Sequence, residues 1–112
     1  MPAPAVDLVD AALQARRDDL LVLAAGRDFN PKFRDWLLSH FAIYAQFEQA
    51  ADKVRARGIK EYSAFVIVNV LRYRADVSGI KFAMSNTLVP DMARLYNMNT
   101  CHLFKVSTRF AK

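Results

Sequence analysis

The sequence predicts a mainly α domain with a small antiparallel β element, an α+β fold of winged helix-turn-helix type extended by an N-terminal helix. Three observations carry that expectation. From Asn30 onward the hydrophobic periodicities run helix, helix, strand, helix, strand. The longest helical run has the four-and-three apolar spacing of a helix that packs lengthwise on another. Charge is divided: residues 53–112 carry eleven Lys or Arg against three acids, whereas residues 1–52 carry five against eight. A basic half with a net charge of +8 points to a polyanionic partner.

The opening segment, from about Val6 to Ala25, places Val6, Val9, Leu13 and Leu20 at helical spacing and meets Gly26 where a helix usually stops. Arg16-Arg17-Asp18-Asp19 keeps its middle polar, so it reads as one amphipathic helix, or two short ones, packed on something else. Asn30-Pro31 is a helix start, because Asn caps through its side-chain oxygen and Pro at the first position gives up no needed hydrogen bond. Gly58 is the matching stop. Between them Phe33, Leu37, His40, Tyr44, Phe47, Ala51 and Val54 form the seam, which either receives the first helix or meets its copy in a homodimer through residues 30–57.

Ser63 stands as an N-cap, with Tyr62 and Ile67 at the positions of a hydrophobic staple. Ala64 to Leu71 is apolar on every side except Asn69. The β-branched residues there favour a strand by propensity, but the cap and staple favour a buried helix ending near Arg74. After the turn Asp76-Val77-Ser78-Gly79, Ile80, Phe82 and Met84 alternate as in a half-buried strand. Ser85-Asn86-Thr87 then supplies caps for a helix from Leu88 to Asn97, with Leu88, Met92 and Leu95 inside and Thr87, Pro90, Asp91, Arg94 and Asn97 outside. Leu103 to Phe110 alternates again, as a strand with Lys105, Ser107 and Arg109 on a basic face. Residues 1–29 are therefore a helical extension and 30–112 the winged-helix-like domain, together one compact unit.

Several function classes drop out. The longest apolar stretches are far shorter than the about eighteen residues of a membrane span, and no secretory signal is apparent, so a cytoplasmic protein is expected. No Gly-rich phosphate loop, acid pair or Ser/His/Asp arrangement stands out, so neither an enzyme nor a cofactor is expected. One cysteine and two histidines are too few for a structural metal site, and Cys101 reads as a small packed residue. In the winged-helix mapping the helix from Leu88 to Asn97 enters the major groove. Asn86, Thr87, Asp91 and Arg94 then face DNA, Lys81, Lys105 and Arg109 hold phosphates, and Arg72 and Arg74 flank Tyr73 as a basic and aromatic cluster. Ordinary structural roles stand beside these: Arg94 suits an ion pair, Arg72 and Arg74 suit a helix C-terminus, and His40 suits a packed seam.

Tyr62-Ser63-Ala64, Ile67, Leu71-Arg72-Tyr73, Phe82-Ala83-Met84, Asn86 and Pro90-Asp91-Met92-Ala93-Arg94-Leu95, with Leu103-Phe104 through Arg109, together carry a resemblance. In these motifs the chain resembles a family of small proteins encoded by bacteriophages and prophages. It departs from that pattern at Tyr73, where Trp is usual, at Ser85 and Thr87 within the Asn run, and before Asn30. The resemblance implies a phage-encoded protein in the bacterial host cytoplasm. Two roles follow: a small regulator on nucleic acid, double-stranded DNA foremost, or a protein-interaction module that binds and inhibits a host complex such as a defence system.

Overall fold

Helices α1 (Ala5–Ala24), α2 (Pro31–Ser39), α3 (Phe41–Ala56), α4 (Ala64–Val77) and α5 (Val89–Asn99), with a 3-10 turn at Asn86–Leu88, make up the regular structure of the described residues. The computed structural model describes the backbone of residues 5–26 and 28–106, and in α1 the side chains from Ala11 onward, Leu13 apart. Among these residues there is no strand. The α+β winged-helix expectation is overturned: the regular structure of the described residues is all-helical.

Local chemistry explains most of the boundaries. Asn30 caps α2 by accepting the Lys32 amide at 2.9 Å, with Pro31 at the first helical position. Gly58 and Gly79 follow α3 and α4 with φ of 85° and 71°, the left-handed conformation in which a side chain is strained. At Gly79 the Ile80 amide donates back to the Ala75 carbonyl at 2.8 Å, the six-to-one bond that closes a helix C-terminus.

The expected continuous helix across 30–57 is broken at His40, whose φ of −130° and ψ of 36° leave helical space. Its amide donates to the Trp36 carbonyl at 2.8 Å, and its ring Nδ1 lies 3.2 Å from the same oxygen. The ring stacks on Trp36 at 5.6 Å. This break lets α2 and α3 diverge, and both parts of the seam are buried inside the chain: Phe33, Leu37, Tyr44, Phe47 and Ala51 are inaccessible. The seam is thus used within one chain and is closed to a second copy.

Two stretches expected as strands take another form. Ile80 to Met84 has no strand partner, and its alternation fails: Ile80 is exposed while Phe82, Ala83 and Met84 are all half-buried. Three of its carbonyls find other donors: the Met84 amide donates to Phe82 at 3.1 Å in a tight turn, the Trp36 indole to Ala83 at 2.7 Å and Arg72 to Met84 at 3.1 Å. Arg72 also lies over the Phe82 ring at 6.0 Å. From Leu103 onward the chain makes one parallel bridge, Tyr62 with Phe104, the Tyr62 amide donating to the Leu103 carbonyl at 2.9 Å. Residues 107–112, which include the rest of that expected strand, lie outside the described residues.

A single side chain does the work of the missing ladder. Asn97, expected outside, accepts from the Leu103 and Phe104 amides at 3.0 and 3.1 Å and donates to the Phe104 carbonyl at 2.7 Å. Phe104 is thereby seated against Phe47 and Tyr96, with ring centroids 5.1 and 5.4 Å apart. α1 packs on α2 and α5, and its Leu20, Leu21 and Ala24 join the same core.

We predict that Asn97→Ala costs about 2 kcal/mol in urea unfolding, because three bonds go and buried backbone groups lose their partners. Hydrogen exchange should show lost protection at the Leu103 and Phe104 amides, and Asn97→Asp, which keeps the acceptor, should fall between.

Candidate functional site

The presumed recognition helix is the centre of the core. Val89, Met92, Ala93, Leu95 and Tyr96 are buried, and so is Asp91, the one charged side chain among the buried described residues. Its carboxylate accepts the Asn30 amide at 3.1 Å and Arg94 at 2.6 Å. It lies in the first turn of α5, where the helix dipole favours an anion. Arg94 is itself only 14% exposed. A fully buried carboxylate makes the ion pair structural, because removing the cation would leave a charge in the core. Asp91 therefore faces inward, against expectation.

A second polar link ties α5 to α3. The Tyr96 hydroxyl donates to Asp52 at 2.7 Å and accepts from Arg55 at 3.0 Å. Burial, reinforced by the bond to Asp52, pushes the Tyr96 hydroxyl up to about 12. Burial also drives the Tyr44 hydroxyl well above the ordinary phenol range. The hydrogen bond to Tyr96 raises Arg55 in turn. Across the fold, Arg16 of α1 pairs with Glu48 of α3.

The remaining expected contact residues do not form one surface. Asn86 and Thr87 are exposed on the 3-10 turn, where the Ser85 hydroxyl caps the Thr87 amide at 3.2 Å. Lys81 is exposed on the segment between α4 and the 3-10 turn. Arg72 is half-buried and committed to Asn69 and Met84. Arg94 and Lys105 line one groove of about 640 Å3, with Glu61, between the start of α4, the start of α5 and the segment at 105–106. Arg74 lines a different groove of about 330 Å3 between α3 and α4, with Gln46, Gln49, Ala50, Lys53 and Leu71. Arg109 lies outside the described residues, and Cys101 is exposed rather than packed.

What sequence reasoning missed is the outer face of α4. At about 100° per residue, Val66, Val70, Tyr73 and Val77 fall within about 60° of one another and about 140° from the Ile67, Val68 and Leu71 face that enters the core. They are 45%, 43%, 69% and 70% exposed, and Ile80, just beyond the helix, is 64% exposed. A continuous apolar stripe therefore faces solvent along the helix. The signal lay in the sequence, since residues 64–71 are apolar nearly all round; one face is used by the chain and the other is left over.

Comparison with family models, with curated proteins and with solved structures finds no match. Among the described residues, no helix is long and apolar enough to cross a membrane.

Arg94→Ala should lower the unfolding free energy by about 3 kcal/mol, because Asp91 then loses its buried cation. Lys105→Ala, at an exposed position, should change it by less than about 0.5 kcal/mol. Both are read by urea denaturation. A second expectation concerns alkali. Tyr96 and Tyr44 ionise at higher pH in the folded than in the unfolded chain, so their contribution is complete below the ordinary value of 10.0 and falls as pH rises above it, that of Tyr96 being lost through about 12. Urea midpoints should fall across that window, and less steeply in Tyr96→Phe.

Proposed function

We propose that the chain is a protein-interaction module whose docking surface is the outer face of α4, acting on a protein complex of a bacterial host. The observation that carries this reading is the stripe Val66, Val70, Tyr73, Val77, extended by Ile80, on a helix whose opposite face is already packed. A helix that is apolar on both faces belongs inside a structure, and contiguous apolar surface on a small domain marks an interaction site. Tyr73 is the natural anchor, because an aromatic ring with a polar tip contributes large contact area at small entropic cost. The phage context rests on the motif resemblance around Tyr62-Ser63-Ala64 and Pro90 to Leu95.

Nucleic-acid binding is the second reading. It is favoured by the α3–α4 groove, whose lining of Gln46, Gln49, Lys53 and Arg74 contains no carboxylate, and by exposed Lys81 and Lys105. The base-reading role of Arg94 and Asp91 is the weakest part of it, since both side chains are spent on each other.

A pull-down from bacterial host lysate, with and without nuclease, separates the two. We expect a nuclease-resistant complex that Val70→Glu with Tyr73→Glu abolishes and Lys81→Ala with Lys105→Ala leaves intact. The glutamates occupy exposed sites, so circular dichroism should be unchanged. A complex that dissolves with nuclease, depends on the lysines and weakens steeply with salt contradicts the proposal and supports the second reading.

A further inference from the structure

We infer that the occupant of the α4 stripe is an amphipathic helix of another protein carrying Asp or Glu along one flank, and this rests on the reading of α4 as a docking face. The two borders of the stripe differ in charge. On the α3 side, Arg74 stands about 70° around the helix from the stripe's centre and shares the α3–α4 groove with Lys53, Gln46 and Gln49. On the other side Asn69 and Asp76 follow the stripe, and Asn69 already accepts from Arg72. The cationic border is thus continuous with a second element, while the other border carries a single acid, Asp76, with the Arg72 guanidinium held beside it on Asn69.

A helix laid along Val66, Val70, Tyr73 and Val77 presents one flank to Lys53 and Arg74. Carboxylates on that flank meet two cations and two amide side chains, whereas lysines there meet repulsion. The same border argues against an antiparallel pairing of two copies of this chain. An antiparallel pair related by a two-fold axis sets Arg74 and Lys53 of each copy on the same side of the joint, like charge against like, in a chain whose net charge is +5. The apolar stripe supplies the attachment and the charged border selects the partner's sequence and orientation.

The test uses the full chain and two synthetic helices, each stapled on its outer face so that folding cost does not obscure the comparison. Both carry Leu at the seam positions of three heptads; one has Glu along the flanks and the other Lys. Fluorescence anisotropy at low salt should show the Glu helix binding about fivefold more tightly or better, as two partly exposed charge pairs allow, with the difference shrinking as salt is raised. Lys53→Glu with Arg74→Glu should invert the preference, and Val70→Glu should abolish both interactions.

Equal binding of the two helices, unaltered by charge reversal but abolished by Val70→Glu, overturns the acidic partner and leaves the docking face standing. Absence of binding by either helix, with a dimer in analytical ultracentrifugation that Val70→Glu dissociates, overturns it in favour of a second copy. A monomer that binds neither helix contradicts both the partner and the face. Duplex DNA binding that charge reversal removes and Val70→Glu does not removes the proposal in favour of nucleic acid.

Discussion

The buried carboxylate of Asp91 fixes the arrangement on which the rest of the domain depends. One oxygen accepts the Asn30 amide at the start of α2, and the other takes Arg94 one turn along α5. A charge inaccessible to solvent is tolerable only when its partners are in place, so the entry of α2 and the first turn of α5 are set together. With α5 held there, Tyr96 reaches Asp52 and Arg55 on α3, and Asn97 reaches the bridge residues Leu103-Phe104. Three successive polar contacts along one helix thus tie α2, α3 and the chain beyond α5 to a common centre. The apolar packing of Phe33, Phe47, Met92, Leu95 and Phe104 fills the space between them.

This centre changes the meaning of the charge asymmetry. Eleven bases in residues 53–112 look like a nucleic-acid surface when counted along the chain. In space they are divided. Arg94 neutralises the core carboxylate, Arg55 serves the Tyr96 contact, and Arg72 holds the segment after α4 by bonding Met84 and covering Phe82. Lys53 and Arg74 border the α4 stripe, and Lys81 and Lys105 stand apart on exposed segments. Part of the basic character is therefore architecture, and of what is left Lys53 and Arg74 border an apolar face.

Signals that act over a few residues were legible in the sequence. Asn30-Pro31, Gly58 and Gly79 mark ends because their conformational and hydrogen-bonding demands are local. The break at His40 was not legible, since it depends on a ring returning to the Trp36 carbonyl and stacking on its indole. Alternation over Ile80 to Met84 misled for the reverse reason: a period of two needs a partner strand, and the indole and guanidinium supplied the hydrogen bonds instead. Helical spacing put Asp91 and Asn97 on a solvent face, but α5 is enclosed on nearly every side, and polar residues enter such a helix when specific partners await them. Of the candidate surface, the all-round apolar character of 64–71 was visible, but not that its outer face would stay open. Lys53, Gln46 and Gln49 carried no motif at all; their role comes from α3 lying beside α4.

The central claim is that α5 is enclosed while the outer face of α4 is open. Hydroxyl-radical footprinting of the folded chain, read residue by residue by mass spectrometry, tests it most directly. Tyr73 of α4 and Met98 at the end of α5 are exposed and should react readily, whereas Tyr96, Met92 and Tyr44 should be protected until the chain unfolds. Protection of Tyr73 together with ready oxidation of Met92 and Tyr96 would contradict the account, because it would return α5 to the surface and close the face of α4.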